Sequence, residues 1–576
     1  MHGFLITYQS SLVAPSAFDT GKCLLRETEI GGYSIRQLTL RKFLNDKLFV
    51  RKDNYFIAVE GVILNLHELM ESHECEDAPT LYAQLYQEHG EGFAALLRGS
   101  FTLVFYDHVK DTLLVYADQM ASKPVFYSLK SFCVSSSLPM LTTRMQYTQA
   151  DEQAMLELLA FGYSPSCRTI ISGVNRLEAG QYLFIRNGKT EARRYHRFHT
   201  HPVEMSEQER IEGIDALFRQ AMQRVIRKNE EYGLAHYIPL SGGLDSRMMV
   251  RVATELTQQP IHAFSYSQTG TPDETVAAEV ADYLHLDWRF QALDGGDFLK
   301  RIYESVRRTD MQICFAGPAE SYNALRELPF RETGIIPTGV GGDFLINTMF
   351  HRTDTRYTYG DLALTPLRYK EMCPPPGYLS RYENRMIHAL YTRVFYCGNY
   401  GAPLTYQSEA ESYSVFMDTD LMQFVLSIPE KCRVDYRLYD KWVMLRYPEM
   451  ATFIHNGHRI GHRHHSFQLF GRTMTWQDMP KRFVSFLMKK AGLQRQYTMD
   501  KGKSPNPTLL WLEQNPSLQQ TWDAVFEENI GLLGNYPAVQ RYTRQQFADK
   551  PSPQSMMQAL TLLAALREVF RTTDSE

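Results

Sequence analysis

The stretch Pro239-Leu240-Ser241-Gly242-Gly243-Leu244-Asp245-Ser246-Arg247 has the residue types of a phosphate-binding turn. Two adjacent glycines admit positive φ and let backbone N–H groups approach an anion with no Cβ in the way. Ser241 and Ser246 add hydroxyl donors, and the N-terminus of the following helix adds partial positive charge. Asp245 would repel a bare phosphate, so its presence implies an intervening cation, Mg²⁺. No Gly-Lys-Ser/Thr follows, which separates this turn from the Walker A pattern. A second strand, Ile335-Ile336-Pro337-Thr338, runs into Gly339-Val340-Gly341-Gly342-Asp343-Phe344. Alone that turn says little. Paired with the first, it lets Asp245 and Asp343 flank one Mg²⁺–phosphate unit that bare carboxylates could not approach.

The surrounding elements must present these turns at one place. His236-Tyr237-Ile238 reads as a strand entering the first turn, and Met248-Met249-Val250 as the start of a buried helix. Ile261 to Tyr266 is a strand, and Asp273-Glu274-Thr275 opens a helix through Leu284. Alternating strands and helices imply a doubly wound parallel sheet with its ligand at the carboxyl ends of the strands. Before them, Ser206 caps an amphipathic helix that reaches Asn229, with Ile211, Ile214, Phe218, Ala221 and Val225 on its apolar side. The first 140 or so residues are β-rich. Phe101–Asp107 and Thr112–Asp118 alternate across a polar turn as a hairpin, and 78–97 has helical spacing. From Arg472 onward the helices carry an apolar stripe (Met556, Leu560, Leu563, Leu566, Phe570) and no motif, and 500–508 reads as a mobile loop.

At 576 residues the chain exceeds one core and predicts two or three domains. A net charge of −4 gives no bulk electrostatic case for nucleic acid or an anionic membrane. No apolar run reaches the roughly 20 residues needed to span a bilayer, and the N-terminus lacks a basic signal-peptide region. Eight scattered cysteines without a CxxC pair predict a reduced, cytoplasmic protein.

The loop at Ser241 resembles the pyrophosphate loop of ATP-pyrophosphatases, which cleave ATP between the α and β phosphates. The N-terminal pieces resemble the glutaminase domain of class II amidotransferases. They are Gly3-Phe4-Leu5, Val59-Glu60-Gly61-Val62-Ile63-Leu64-Asn65, Leu85-Tyr86-Gln87-Glu88-His89-Gly90 and Asp118 to Tyr127. Together they are similar to the asparagine synthetase family, over residues 1 to about 465. The resemblance extends to lactam synthetases, lasso peptide cyclases and polysaccharide-cluster members. It implies an α/β chain with four parts. Residues 1–150 form a degenerate Ntn-hydrolase-like αββα sandwich, and 151–205 a connection. Residues 206–470 form a doubly wound parallel-sheet ATP-pyrophosphatase domain, and 471–576 a helical C-terminal part.

Two departures point to a dead glutaminase. The family's nucleophile is a cysteine at position 2, exposed so that its own amine acts as base; here the residue is His2. The family's oxyanion-hole asparagine aligns with Glu60, whose carboxylate would repel an oxyanion.

By the same resemblance, Leu240, Ser241, Gly242, Gly243, Asp245, Ser246, Ser265, Tyr266, Gly339 and Gly341 hold ATP and pyrophosphate, and Asp245 and Asp343 hold Mg²⁺. Val340 stands where relatives carry an acid or tyrosine that helps the amine. Glu411, which leads the segment Glu411 to Leu421, is the candidate replacement base, with a helix N-terminal carboxylate or a surface ion pair as the equal alternative, and Arg459 is the counterpart of the cation for the acyl-adenylate. A basic, polar loop explains His455, His458, His462, His464 and His465 better than zinc, because no cysteine or carboxylate shares their spacing. The implied activity is an ATP-dependent, AMP-forming amide synthetase. It joins a small-molecule, peptide or sugar carboxylate to an amine or ammonia, in natural-product or surface-polysaccharide biosynthesis. A homodimer or a complex with a pathway partner is compatible with it. The competing readings are a glutamine-dependent asparagine synthetase and a non-catalytic ATP-binding scaffold.

Overall fold

The computed structural model describes residues 2–9, 21–130, 132–143, 149–347, 362, 372–373, 382–455, 458–460, 467–469, 472–474, 504–548 and 552–574. His462, His464 and His465 lie outside the described residues, as do 500–503.

The N-terminal half is built from two antiparallel sheets. One has the order Val174–Arg176, Phe126–Ser128, Cys133–Ser135, Gly3–Tyr8, Tyr33–Leu40, Cys23–Ile30. The other runs Lys189–Arg194, Gln181–Arg186, Thr112–Ala117, Gly99–Asp107, Tyr55–Ile63, Phe49–Lys52. The expected hairpin pairs Thr102 with Ala117 through Asp107 with Thr112. Successive side chains of a strand face opposite sides, and here both sides are apolar. Val104 and Tyr106 join the core shared with Phe4 and Ile6 of the first sheet. Leu103 and Phe105 pack under Leu81 and Leu85 of the helix Ala78–His89. That double burial makes the second sheet a middle layer, as the sandwich expectation requires.

One expected boundary moves. The stretch 151–205 is more than a connection: its three strands complete both sheets. Val174–Arg176 pairs with Phe126–Ser128, and Gln181–Arg186 with Thr112–Ala117. The physical reason is edge coverage, since the hairpin strand Thr112–Ala117 would otherwise leave a row of unpaired backbone groups.

The second half is organised on parallel strands. Asp287–Ala292, Ile261–Ser267 and His236–Pro239 pair in that order, and Ile335–Thr338 pairs with Glu411–Ser414. Backbone bonds from Ala235 N to Glu332 O (2.8 Å) and Gly334 N to Ala235 O (3.2 Å) bring the two sets side by side. Chain order therefore reverses at His236–Pro239, and a crevice opens beyond the carboxyl ends there. The helix Glu207–Glu231 begins with a reciprocal capping box, Ser206 with Glu209, and packs its apolar face on this sheet.

The C-terminal helices close the structure. Pro553–Asp574 buries Met556, Leu560, Leu563 and Leu566 and packs on Glu152–Phe161 and Ile302–Arg308. Residues 504–508 are tied down: Gln268 N donates to Pro505 O at 2.9 Å, and Asn506 donates to Glu320. Among the described residues no helix is long and apolar enough to cross a membrane.

Candidate functional site

Beyond the reversal point lies a cavity of about 480 Å³. Leu240, Ser241, Gly243, Asp245, Ser246, Ser265, Tyr266, Gly339, Val340 and Asp343 all line it. The structure thus brings together the loop and the second glycine turn, which lie about a hundred positions apart in sequence.

The loop is pre-formed. Ser241 N donates to Ser246 Oγ (2.9 Å), the two serine hydroxyls lie 2.9 Å apart, and Gly243 N donates to Ser241 Oγ (3.1 Å). Gly242 N is taken by Asp273 Oδ1 at 2.8 Å. Arg247 is fully buried beneath the loop and donates to Gly242 O, Met450 O and Ile454 O. Ser265 Oγ is occupied by structure, donating to Leu240 O and accepting from Trp288 Nε1. Its backbone, at the carboxyl end of its strand, is what the cavity sees.

The two acids meet because glycine lets them. A Cβ on Gly342 would lie 2.4 Å from Asp245 Cγ, and one on Gly339 2.8 Å from Asp245 Cβ. Asp343 N donates to Asp245 Oδ2 at 3.3 Å. Burial first, and the nearby charge of Asp343 second, push the Asp245 carboxyl up to about 8. Two repelling carboxylates beside hydroxyl and amide donors fit a hard divalent cation that takes its remaining ligands from phosphate oxygens and water. No group of three or more His, Cys, Asp or Glu side chains suited to a metal occurs among the described residues.

Sequence reasoning missed several side chains here. The Tyr439 hydroxyl donates to Asp245 Oδ1 (2.5 Å), and the Tyr436 hydroxyl to Asp343 Oδ1 (2.9 Å). Asp273, Glu320, Tyr406 and His455 also line the cavity. Glu320 is pushed up to about 7 by burial, with Asn506 holding its oxygens. Only Asp273, at a helix start, left a legible signal; the tyrosines follow no motif.

Two expected residues lie elsewhere. Arg459 is exposed on a two-residue strand paired with Ile454–His455, and it is His455 that reaches the cavity wall. Glu411 is 0% exposed and absent from the cavity lining. It sits at the amino end of its strand, opposite Ile335, whereas the cavity is at the carboxyl end by Thr338. Lys47 Nζ lies 2.7 Å and Lys123 Nζ 3.0 Å from its oxygens. Burial raises its pKa, but Lys123 and Lys47 outweigh this and hold it below the usual carboxylate range. Glu411 is therefore a buried counter-ion, not an acceptor-site base.

The same ionic chain reaches the N-terminal half. Glu60 Oε1 lies 3.9 Å from Lys47 Nζ and 3.3 Å from His2 Nδ1, and His2 Nε2 bonds Gln407 O at 2.6 Å. A second cavity, about 250 Å³, touches His2, Glu60, Lys123, Asp310 and Gln407. The short helix Ala402–Tyr406 is its partition from the first: Leu404 and Gln407 face one side, Ala402 and Tyr406 the other.

A two-sheet sandwich joined to a parallel sheet with paired glycine–acid turns defines an amidotransferase-type class of two-part protein. Comparison with known proteins agrees. The family model for the glutamine amidotransferase domain matches residues 43–196, and that for asparagine synthase matches 213–368. Asparagine synthetase [glutamine-hydrolyzing] 1 of Bacillus subtilis (strain 168) is 23% identical over 329 residues, 54% of this chain and 51% of that protein. Asparagine synthetase B [glutamine-hydrolyzing] of Escherichia coli (strain K12) is 23% identical over 324 residues, 51% of this chain and 52% of that protein. Amidase chyE of Penicillium rubens is 23% identical over 297 residues, 45% of this chain and 41% of that protein. The chain thus spans about half the length of the curated relatives it matches. On these two matches and relatives, the chain is similar to the asparagine synthetase family.

Proposed function

We propose that this protein is an ATP-dependent, AMP-forming carbon–nitrogen ligase that adenylates a carboxylate and passes the acyl group to an amine or ammonia. The observation that carries the reading is the approach of Asp245 and Asp343 across the glycine turn, at the mouth of the Ser241–Ser246 loop.

Ser241, Gly243 and Ser246 hold the β and γ phosphates through hydroxyl and backbone donors, and Gly242, its N–H held by Asp273, shapes the turn between them. Asp245 and Asp343 are the residues that would hold Mg²⁺, which when bound would supply charge neutralisation for pyrophosphate. The adenosine lies along Leu240, Ser265 and Tyr266, with Gly339 and Gly341 giving backbone room. A substrate carboxylate oxygen attacks the α-phosphorus, the α–β P–O bond breaks, and pyrophosphate leaves. The amine nitrogen then attacks the acyl carbon, AMP leaves, and the nitrogen loses a proton. No cation for the adenylate is assigned to Arg459, which is exposed outside the cavity lining; its hairpin partner strand brings His455 there instead. No base is assigned to Glu411, and Val340 offers none.

The N-terminal half is read as an inactive glutaminase. Support comes from His2 being paired with Glu60, and Glu60 in turn with Lys47, in place of a thiolate and a neutral donor. The nucleophile is then a free amine or ammonia, and the carboxylate a small molecule, peptide or sugar acid. The two glutamine-hydrolysing relatives favour the second reading, a glutamine-dependent asparagine synthetase. Pyrophosphate release across a panel of carboxylic acids, with Asp245→Asn as control, tests the ligase. Release abolished by Asp245→Asn supports it, and no release with any acid favours an ATP-binding scaffold.

A further inference from the structure

Tyr436 has φ 61° and ψ 10°. A bulky residue adopts this left-handed conformation only where its surroundings impose it, and such residues gather at functional sites. Two contacts impose it here. Tyr436 N donates to Asn347 Oδ1 at 2.6 Å, and Arg433 Nη1 donates to Leu345 O at 2.5 Å. Both tie the 433–436 turn to Asp343–Asn347, the turn that carries the second acid. The Tyr436 ring lies nearly parallel to Tyr439 (6.5 Å, 22°) and edge-on to His455 (6.2 Å, 63°).

The outcome is a hydroxyl delivered to one oxygen of Asp343, at 2.9 Å. Asp343 needs such a partner. It is exposed on a turn, so its carboxylate would otherwise rotate freely, while Asp245 is held by both Tyr439 and Asp343 N. The neighbours Val340 and Phe344 supply no polar group, and among the described residues no donor reaches Asp343 Oδ2.

We propose that Tyr436 is a positioning residue: it fixes the plane of the Asp343 carboxylate so that its second oxygen serves the cation shared with Asp245. The proposal rests on the reading of the cavity as an Mg²⁺–ATP site. Groups that orient a metal ligand in this way change metal affinity by about 10- to 100-fold when removed.

The full chain is titrated calorimetrically with α,β-methylene-ATP, once in excess Mg²⁺ and once in EDTA. Wild type binds more tightly with Mg²⁺. Tyr436→Phe keeps the backbone and ring, so its affinity in EDTA stays within about twofold of wild type, while the Mg²⁺ enhancement falls about tenfold. Asn347→Ala leaves the hydroxyl but frees the strained turn, and lowers the enhancement in the same direction. If Tyr436→Phe does not fold, Asn347→Ala decides. An undiminished Mg²⁺ enhancement, or an equal loss in both media, overturns the positioning role and leaves the site reading intact. No nucleotide binding by wild type overturns both.

Discussion

Asp245 and Gly342 are fitted to one another: the space where residue 342 would carry a Cβ is occupied by the Asp245 carboxyl group, 2.4 Å from its carbon. The glycine is a condition for the acid pair, not a generic loop residue. Gly342→Ala therefore displaces Asp245 or the turn. Because displacements of about 1 Å can cost about 100-fold in rate, pyrophosphate release is expected to drop by about that factor. Thermal unfolding, with an overpacking cost of about 1–3 kcal/mol, checks that the fold survives.

The Glu411 cluster predicts a stability phenotype. Glu411→Gln leaves Lys47 and Lys123 buried without their anion. Breaking one side of a buried pair costs about 3–5 kcal/mol, so urea unfolding should shift to markedly lower concentration. Partial recovery is expected in Lys47→Met/Lys123→Met/Glu411→Leu, since apolar replacement of all three removes the orphaned charges. A catalytic base would behave differently: full stability with lost turnover.

Asp310 predicts a pH slope. Burial pushes its carboxyl up to about 7, against bonds from Leu138 N and the Ser137 hydroxyl. The folded state therefore binds a proton that the unfolded chain, with an ordinary aspartate near 3.8, has released. Stability from this group is full below the unfolded value and is lost as pH rises towards about 7. Melting temperatures between pH 4 and 7 should show that fall superimposed on the rest of the titration. Asp310→Asn, which keeps the accepting oxygen, should flatten it.

The N-terminal half predicts silence. Incubation with glutamine should yield no glutamate above the uncatalysed rate, and His2→Cys alone should not restore it, because Glu60 still faces the developing oxyanion. Glutamate formation by wild type would revive the glutamine-dependent reading.

Much of this architecture was legible in the sequence. The alternation of Phe101–Asp107 and Thr112–Ala117 gave the hairpin, and Ser206 with its apolar stripe gave the long helix. The paired Gly–Asp turns pointed to one cavity because strand–turn–helix order dictates where such turns meet. Three things were not legible. The strands 174–194 answer a need for edge coverage that only the assembled sheet creates. Glu411 was placed by its segment's likeness to relatives, and only the structure shows Lys47 and Lys123 converging on it from the other half. Tyr436 and Tyr439 act through an unusual backbone angle and long-range packing, which leave no periodic trace.

The most direct test of the central claim is the nucleotide product. ATP, Mg²⁺, ammonium and a panel of small-molecule, sugar and peptide acids are incubated with the full chain and resolved by phosphorus NMR. AMP and pyrophosphate are expected in equal amounts with at least one acid, and neither with Asp245→Asn. ADP and orthophosphate as products would contradict that claim.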